Sequence, residues 1–140
     1  MLEIRAELPN HAPAKELIQQ IRKDIDWMLE RIVDKLGANM ITASVVRDFH
    51  DQVSIIIKPL DVKLLGICKF RNSIIEIDCF QSRDSTLLTL AHEIAHWFAN
   101  EVYGDRGHGV YWQMVSRWLK LGEERGYEKS SDGVDLRSVS

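Results

Sequence analysis

Apolar residues recur at three- and four-residue steps from Leu17 through Ile18, Ile21, Ile25, Met28, Leu29, Ile32, Val33 and Leu36. That spacing predicts a long amphipathic helix over Ala14 to Leu36, with Pro13 near its start and Gly37 as its stop. The period then shortens. Ile41 to Val46, Val53 to Ile57, Leu64 to Phe70 and Ser73 to Cys79 read as short strands. In the last of these, Ile75, Ile77 and Cys79 alternate with Glu76 and Asp78, as in a strand buried on one face. Pro59 blocks a longer run after Ile57, and Arg71-Asn72 is placed to turn a hairpin with Cys68 opposite Ile75.

Helical spacing returns downstream. Asp84 or Ser85 can cap a helix running to about Tyr103, and Val110 to Leu121 reads as a closing helix. The closing helix carries a stripe of Tyr111, Met114, Val115, Trp118 and Leu119. The order of long helix, small mostly antiparallel sheet and two further helices predicts an α+β fold. One domain is expected over residues 1–125, with a flexible polar tail over residues 126–140. There are no internal repeats and no glycine-rich phosphate loop.

Composition narrows this little. The chain has 140 residues, 45% hydrophobic and 28% charged, which is ordinary for a globular domain with a core. A formal net charge of −3 argues against a general polyanion binder. The basic run containing Lys58, Lys63, Lys69 and Arg71 reads first as a solvated hairpin face. Met1 to Glu7 has no apolar leader core, no stretch approaches a membrane span, and Cys68 and Cys79 fall out of register for a disulfide. A cytoplasmic location and reduced cysteines are expected.

The chemistry lies in Leu90-Ala91-His92-Glu93-Ile94-Ala95-His96. Residues four apart share a helix face, so His92 and His96 can offer two imidazoles to one ion. Glu93 then stands beside the first ligand as a candidate general base. Catalytic zinc usually takes three protein ligands and keeps one position open. Three glycines in Gly104-Asp105-Arg106-Gly107-His108-Gly109 let the chain reverse, which brings His108 back as the third candidate ligand. Glu101 ranks below it, since it lies further along the helix and off the metal-facing side. His11 and His50 have no ligand spacing and read as surface residues. Asp78, Asp84 and Asp105 are candidate partners for the metal histidines. Tyr103 and Tyr111 are candidate oxyanion or substrate contacts, although packing at a helix end or in the stripe is the favoured reading of both. Trp97, Trp112 and Trp118 read as core anchors.

From Leu65 to Trp118 the chain resembles the SprT-like (Spartan-type) zinc metalloproteases. The resemblance is carried by the hairpin Gly66-Ile67-Cys68-Lys69-Phe70 and Ile74-Ile75-Glu76-Ile77, by the H-E-x-x-H helix, and by Gly107-His108-Gly109-Val110-Tyr111-Trp112. It implies a zincin-like fold, with one zinc held by His92, His96 and His108. It also implies peptide-bond hydrolysis with Glu93 as the catalytic carboxylate, a protein or peptide substrate and an association with DNA. Two cysteines cannot build the four-cysteine ribbon found in many such proteins, so DNA is the least supported of these implications. Two alternatives remain in view. One is a zinc-pinned binding module without turnover. The other is a hydrolase of a different bond, such as a three-histidine ribonuclease, whose sites typically lack the glutamate after the first histidine.

Overall fold

A computed structural model describes residues 1–120, and within them the chain is α+β. Four strands, β1 (Glu3–Ala6), β2 (Ser54–Lys58), β3 (Gly66–Lys69) and β4 (Ile74–Asp78), form one sheet in the order β1-β2-β4-β3. Four helices accompany it: α1 (Lys15–Leu36), α2 (Met40–Gln52), α3 (Arg83–Tyr103) and α4 (Val110–Leu119). The predicted tail at 126–140 and the end of the predicted closing helix lie outside the described residues.

The sheet is mixed, which corrects the expectation of a mostly antiparallel one. β1 runs parallel to β2 and β2 parallel to β4, and only the β3–β4 hairpin is antiparallel. The reason is β1, which the sequence reading passed over. Leu2 and Ile4 are buried and alternate with the exposed Glu3 and Arg5, so the N-terminus is a strand. The chain returns from β1 to the sheet through α1 and α2, and such a crossover makes neighbouring strands parallel. Hairpin register is as expected, with Cys68 opposite Ile75.

Ile41 to Val46, read as a strand, lies in helix α2. Asn39 caps that helix, its side-chain oxygen accepting from the Thr42 N–H at 2.9 Å. Thr42 and Phe49, two turns apart, are the buried positions, while Met40 and Ile41 face solvent. The β-branched residues there were a weaker signal than the cap and the two-turn spacing.

The ladder aligns Ile4, Ile55, Ile75 and Cys68 in one row across the four strands and Ala6, Ile57, Ile77 and Gly66 in the next. These rows join the core with Ile21, Ile25, Met28 and Ile32 of α1 and Leu90, Ile94 and Phe98 of α3. α3 packs on β3 and β4, α1 on β1, and α4 against both α3 and α1. The second row ends in a glycine where α3 crosses the sheet edge, and that position matters for the site.

Candidate metal centre

Ser82, rather than Asp84 or Ser85, caps α3, its Oγ accepting from the Ser85 N–H at 3.1 Å. Every residue from Thr86 to Ala99 is buried, so this stretch of helix has no solvent face. His92, Glu93 and His96 belong to it, at 2%, 0% and 1% exposure. The helix stops at Gly104, whose φ of 72° is the left-handed conformation that glycine adopts without strain.

Asp105 fastens the loop that follows. One carboxylate oxygen accepts from the Gly107 N–H at 3.0 Å and the other from the Trp112 N–H at 3.1 Å, which ties the turn to the first residues of α4. A Cβ on Gly109 would lie 2.8 Å from that second oxygen, so the close approach requires glycine there. The effect is to hold His108 over α3. Its Nε2 stands 3.1 Å from Nε2 of His96 and 3.3 Å from Nε2 of His92. Trp112 backs the cluster: its ring centroid is 4.8, 5.3 and 4.6 Å from those of His92, His96 and His108. Its indole N–H donates to the His92 carbonyl at 3.3 Å.

Three buried or half-buried imidazoles therefore converge through Nε2, and they could hold a metal ion. A tetrahedral ion with nitrogen ligands at about 2.0–2.1 Å separates those nitrogens by about 3.3 Å, close to both distances here. Burial, and then the neighbouring His92 and His108, push the His96 pKa down to about 3. A neutral imidazole with a free lone pair is the form that ligates a metal. Geometry and protonation both fit the donor set.

Glu93 points toward the sheet edge. A Cβ on Gly66 would lie 3.2 Å from Oε2 of Glu93 and 2.5 Å from Cγ2 of Thr89, so only glycine lets β3 come this close to α3. Cys68, two residues along β3, is fully buried. Burial and the Glu93 charge hold its thiol well above the ordinary range, so it is an inert packing group and not a nucleophile. Both cysteines are free.

Gln81 is a residue the sequence reading missed. Its Nε2 donates to the Leu65 carbonyl at 3.0 Å and the Asp78 carbonyl at 2.9 Å. Its Oε1 accepts from Ser85 Oγ at 2.6 Å and Thr89 Oγ1 at 3.0 Å. One amide thus ties the start of β3 and the end of β4 to α3, one helical turn before Glu93. No motif marks such a residue, because its partners come from three separate segments.

The other candidates fall as follows. Glu101 is exposed at the end of α3 and is not part of the histidine cluster. Asp78 accepts from the Leu60 N–H at 3.0 Å, and Asp84 is exposed in the first turn of α3. Tyr103 and Tyr111 stack on each other at 4.4 Å with an 8° interplanar angle. His11 is exposed, whereas His50 is half-buried with its ring 6.4 Å from that of Phe49. Trp97 is a core residue as expected, packed edge-on against Phe49 at 5.3 Å. Among the described residues no helix is long and apolar enough to cross a membrane.

Compared with protein-family models, curated proteins and solved structures, the chain matches none.

Proposed function

We propose that the chain is a zinc-dependent metallopeptidase of SprT-like type, with His92, His96 and His108 as zinc ligands and Glu93 as general base. The observation that carries this reading is the convergence of three imidazole Nε2 atoms beside a fully buried glutamate that adjoins the first of them. Zinc is the preferred ion because a three-imidazole, four-coordinate site suits it. When bound, it supplies the Lewis acidity that polarises a carbonyl and makes water nucleophilic near neutral pH.

The chain's own groups do the rest. Glu93 takes the proton of the attacking water and delivers it to the leaving amine. Its burial keeps bulk water from competing for that proton. β3 is an edge strand with α3 alongside, and the outer backbone groups of such a strand can receive an extended peptide. Gly66 brings that edge against the Glu93 carboxylate, which aligns a peptide laid on β3 with the base. Tyr103 ends α3 and Tyr111 lies in the first turn of α4, on either side of the loop bearing His108, and either hydroxyl is a candidate contact for the developing oxyanion.

The test is hydrolysis of an unstructured protein by zinc-loaded wild type and by Glu93→Gln. The proposal expects bound zinc in both and at least a hundredfold slower hydrolysis in the variant. Full activity in Glu93→Gln would overturn the role of Glu93. Zinc binding without hydrolysis of any peptide would instead favour the zinc-pinned binding module.

A further inference from the structure

Arg106 lies two residues before His108 in the loop between α3 and α4. Its guanidinium sits over the ring of Phe70, 5.7 Å from the centroid, and its Nε donates to Asn100 Oδ1 at 3.1 Å. Phe70, directly after β3, meets the ring of His96 edge-on at 6.1 Å. A cation is therefore held from two sides at the end of the edge strand, next to the histidine cluster. Its two terminal nitrogens make no hydrogen bond or ion pair among the described residues.

Two charged residues near it, Lys69 and Asp105, are already engaged. Lys69 pairs with Glu76 at 3.3 Å, and both oxygens of Asp105 accept backbone N–H groups. A planar guanidinium with its outer N–H groups open suits a carboxylate, which it can meet with two parallel hydrogen bonds. β3 starts at Gly66, beside Glu93, and Phe70, directly after its end, lies beneath Arg106. From Gly66 to Phe70 is four steps along the chain, or about 13 Å at about 3.3 Å each.

We propose that Arg106 is a specificity-determining residue that binds an acidic side chain of the peptide substrate, within about four residues of the bond Glu93 serves. The proposal rests on the peptidase reading and adds a substrate class to it. An acidic peptide is favoured over a nucleic acid because the planar Arg106 fork, fixed by Phe70 and Asn100, matches one carboxylate. A polyanion needs several unpaired cations along its path, and the chain as a whole carries a net charge of −3.

The experiment uses fluorescent, unstructured peptides that differ only by Glu or Gln, with that position stepped along the sequence. Affinity is read by anisotropy on zinc-loaded Glu93→Gln protein, and KM and kcat on zinc-loaded wild type. At one position the Glu peptide should bind roughly tenfold tighter and show a correspondingly lower KM, as for a hydrogen-bonded charge pair. Adding Arg106→Gln should bring the Glu:Gln ratio to about one, and Arg106→Lys should restore it only in part. An equal Glu preference in the presence and absence of Arg106→Gln would overturn the proposal. So would the lack of any Glu preference in a wild type that cleaves these peptides. Loss of single-stranded DNA binding on Arg106→Gln, without any peptide preference, would assign the cation to a nucleic acid instead. If wild type cleaves no peptide, the peptidase reading fails, and the anisotropy ratio still reports on Arg106 by itself.

Discussion

α1 and α3 are nearly equal in length, 22 and 21 residues, yet they are built on opposite plans. α1 buries one stripe, Ile21, Ile25, Met28, Leu29 and Ile32, and gives its other face to water. α3 is buried without interruption from Thr86 to Ala99 and carries two histidines, a glutamate and two threonines into that interior. A helix buried all round normally avoids ionisable groups, because desolvating them is unfavourable. α3 accepts that penalty for His92, Glu93 and His96. The contrast separates a supporting helix from the one that carries the candidate metal site.

If the contrast is sound, the two helices should respond differently to pH, and this is the largest effect expected. His96 holds its proton only below about pH 3 in the metal-free fold, whereas an unfolded histidine takes one up near 6.5. Between those values the unfolded chain binds more protons, so stability is full above about pH 6.5 and declines as pH falls toward 3. Thermal melting of metal-free protein across that range should show the decline, and His96→Leu should flatten it. The aliphatic and methionine stripe of α1 contributes no such slope.

Next in size is Ile25→Ala on α1, which should cost about 2–5 kcal/mol as a large-to-small core change. Denaturant titration would measure it, and the protein that remains folded should bind zinc as wild type does. Gly66→Ala attacks the opposite helix through the sheet. Its methyl must displace Thr89 or Glu93, which should cost about 1–3 kcal/mol in melting experiments and lower hydrolysis disproportionately. Smallest is Gln81→Ala, at about 1–2 kcal/mol. Its signature should be a greater loss in hydrolysis than in zinc affinity, because Gln81 ties β3 to α3 through Leu65, Ser85 and Thr89. Equal losses of both would remove the distinction between holding the strand and holding the metal.

Legibility in the sequence followed the same division. α1, α3 and the β3–β4 hairpin were readable because period, stop glycines and turn residues agreed. The cluster of His92, His96 and His108 was readable because ligand chemistry limits which residues can serve and how far apart they stand on a helix. α2 was not, since Ile41, Thr42, Val45 and Val46 satisfy a strand template over so short a run, and the Asn39 cap outweighed them. β1 carried a clear alternation in Leu2-Glu3-Ile4-Arg5, but its parallel partner is about fifty residues away in the chain. No local pattern announces that pairing. Gln81 and Arg106 were invisible for a related reason: each is defined by contacts that converge only after folding.

The central claim is that α3 and the loop after it form a three-histidine metal site. Its most direct test is elemental analysis of wild type and His108→Ala, purified without added metal and again after zinc is offered. The account predicts about one zinc per wild-type chain and a sharp loss in His108→Ala, with far-ultraviolet circular dichroism showing that the variant remains folded. No zinc in wild type under either condition, or full retention by His108→Ala, would contradict it.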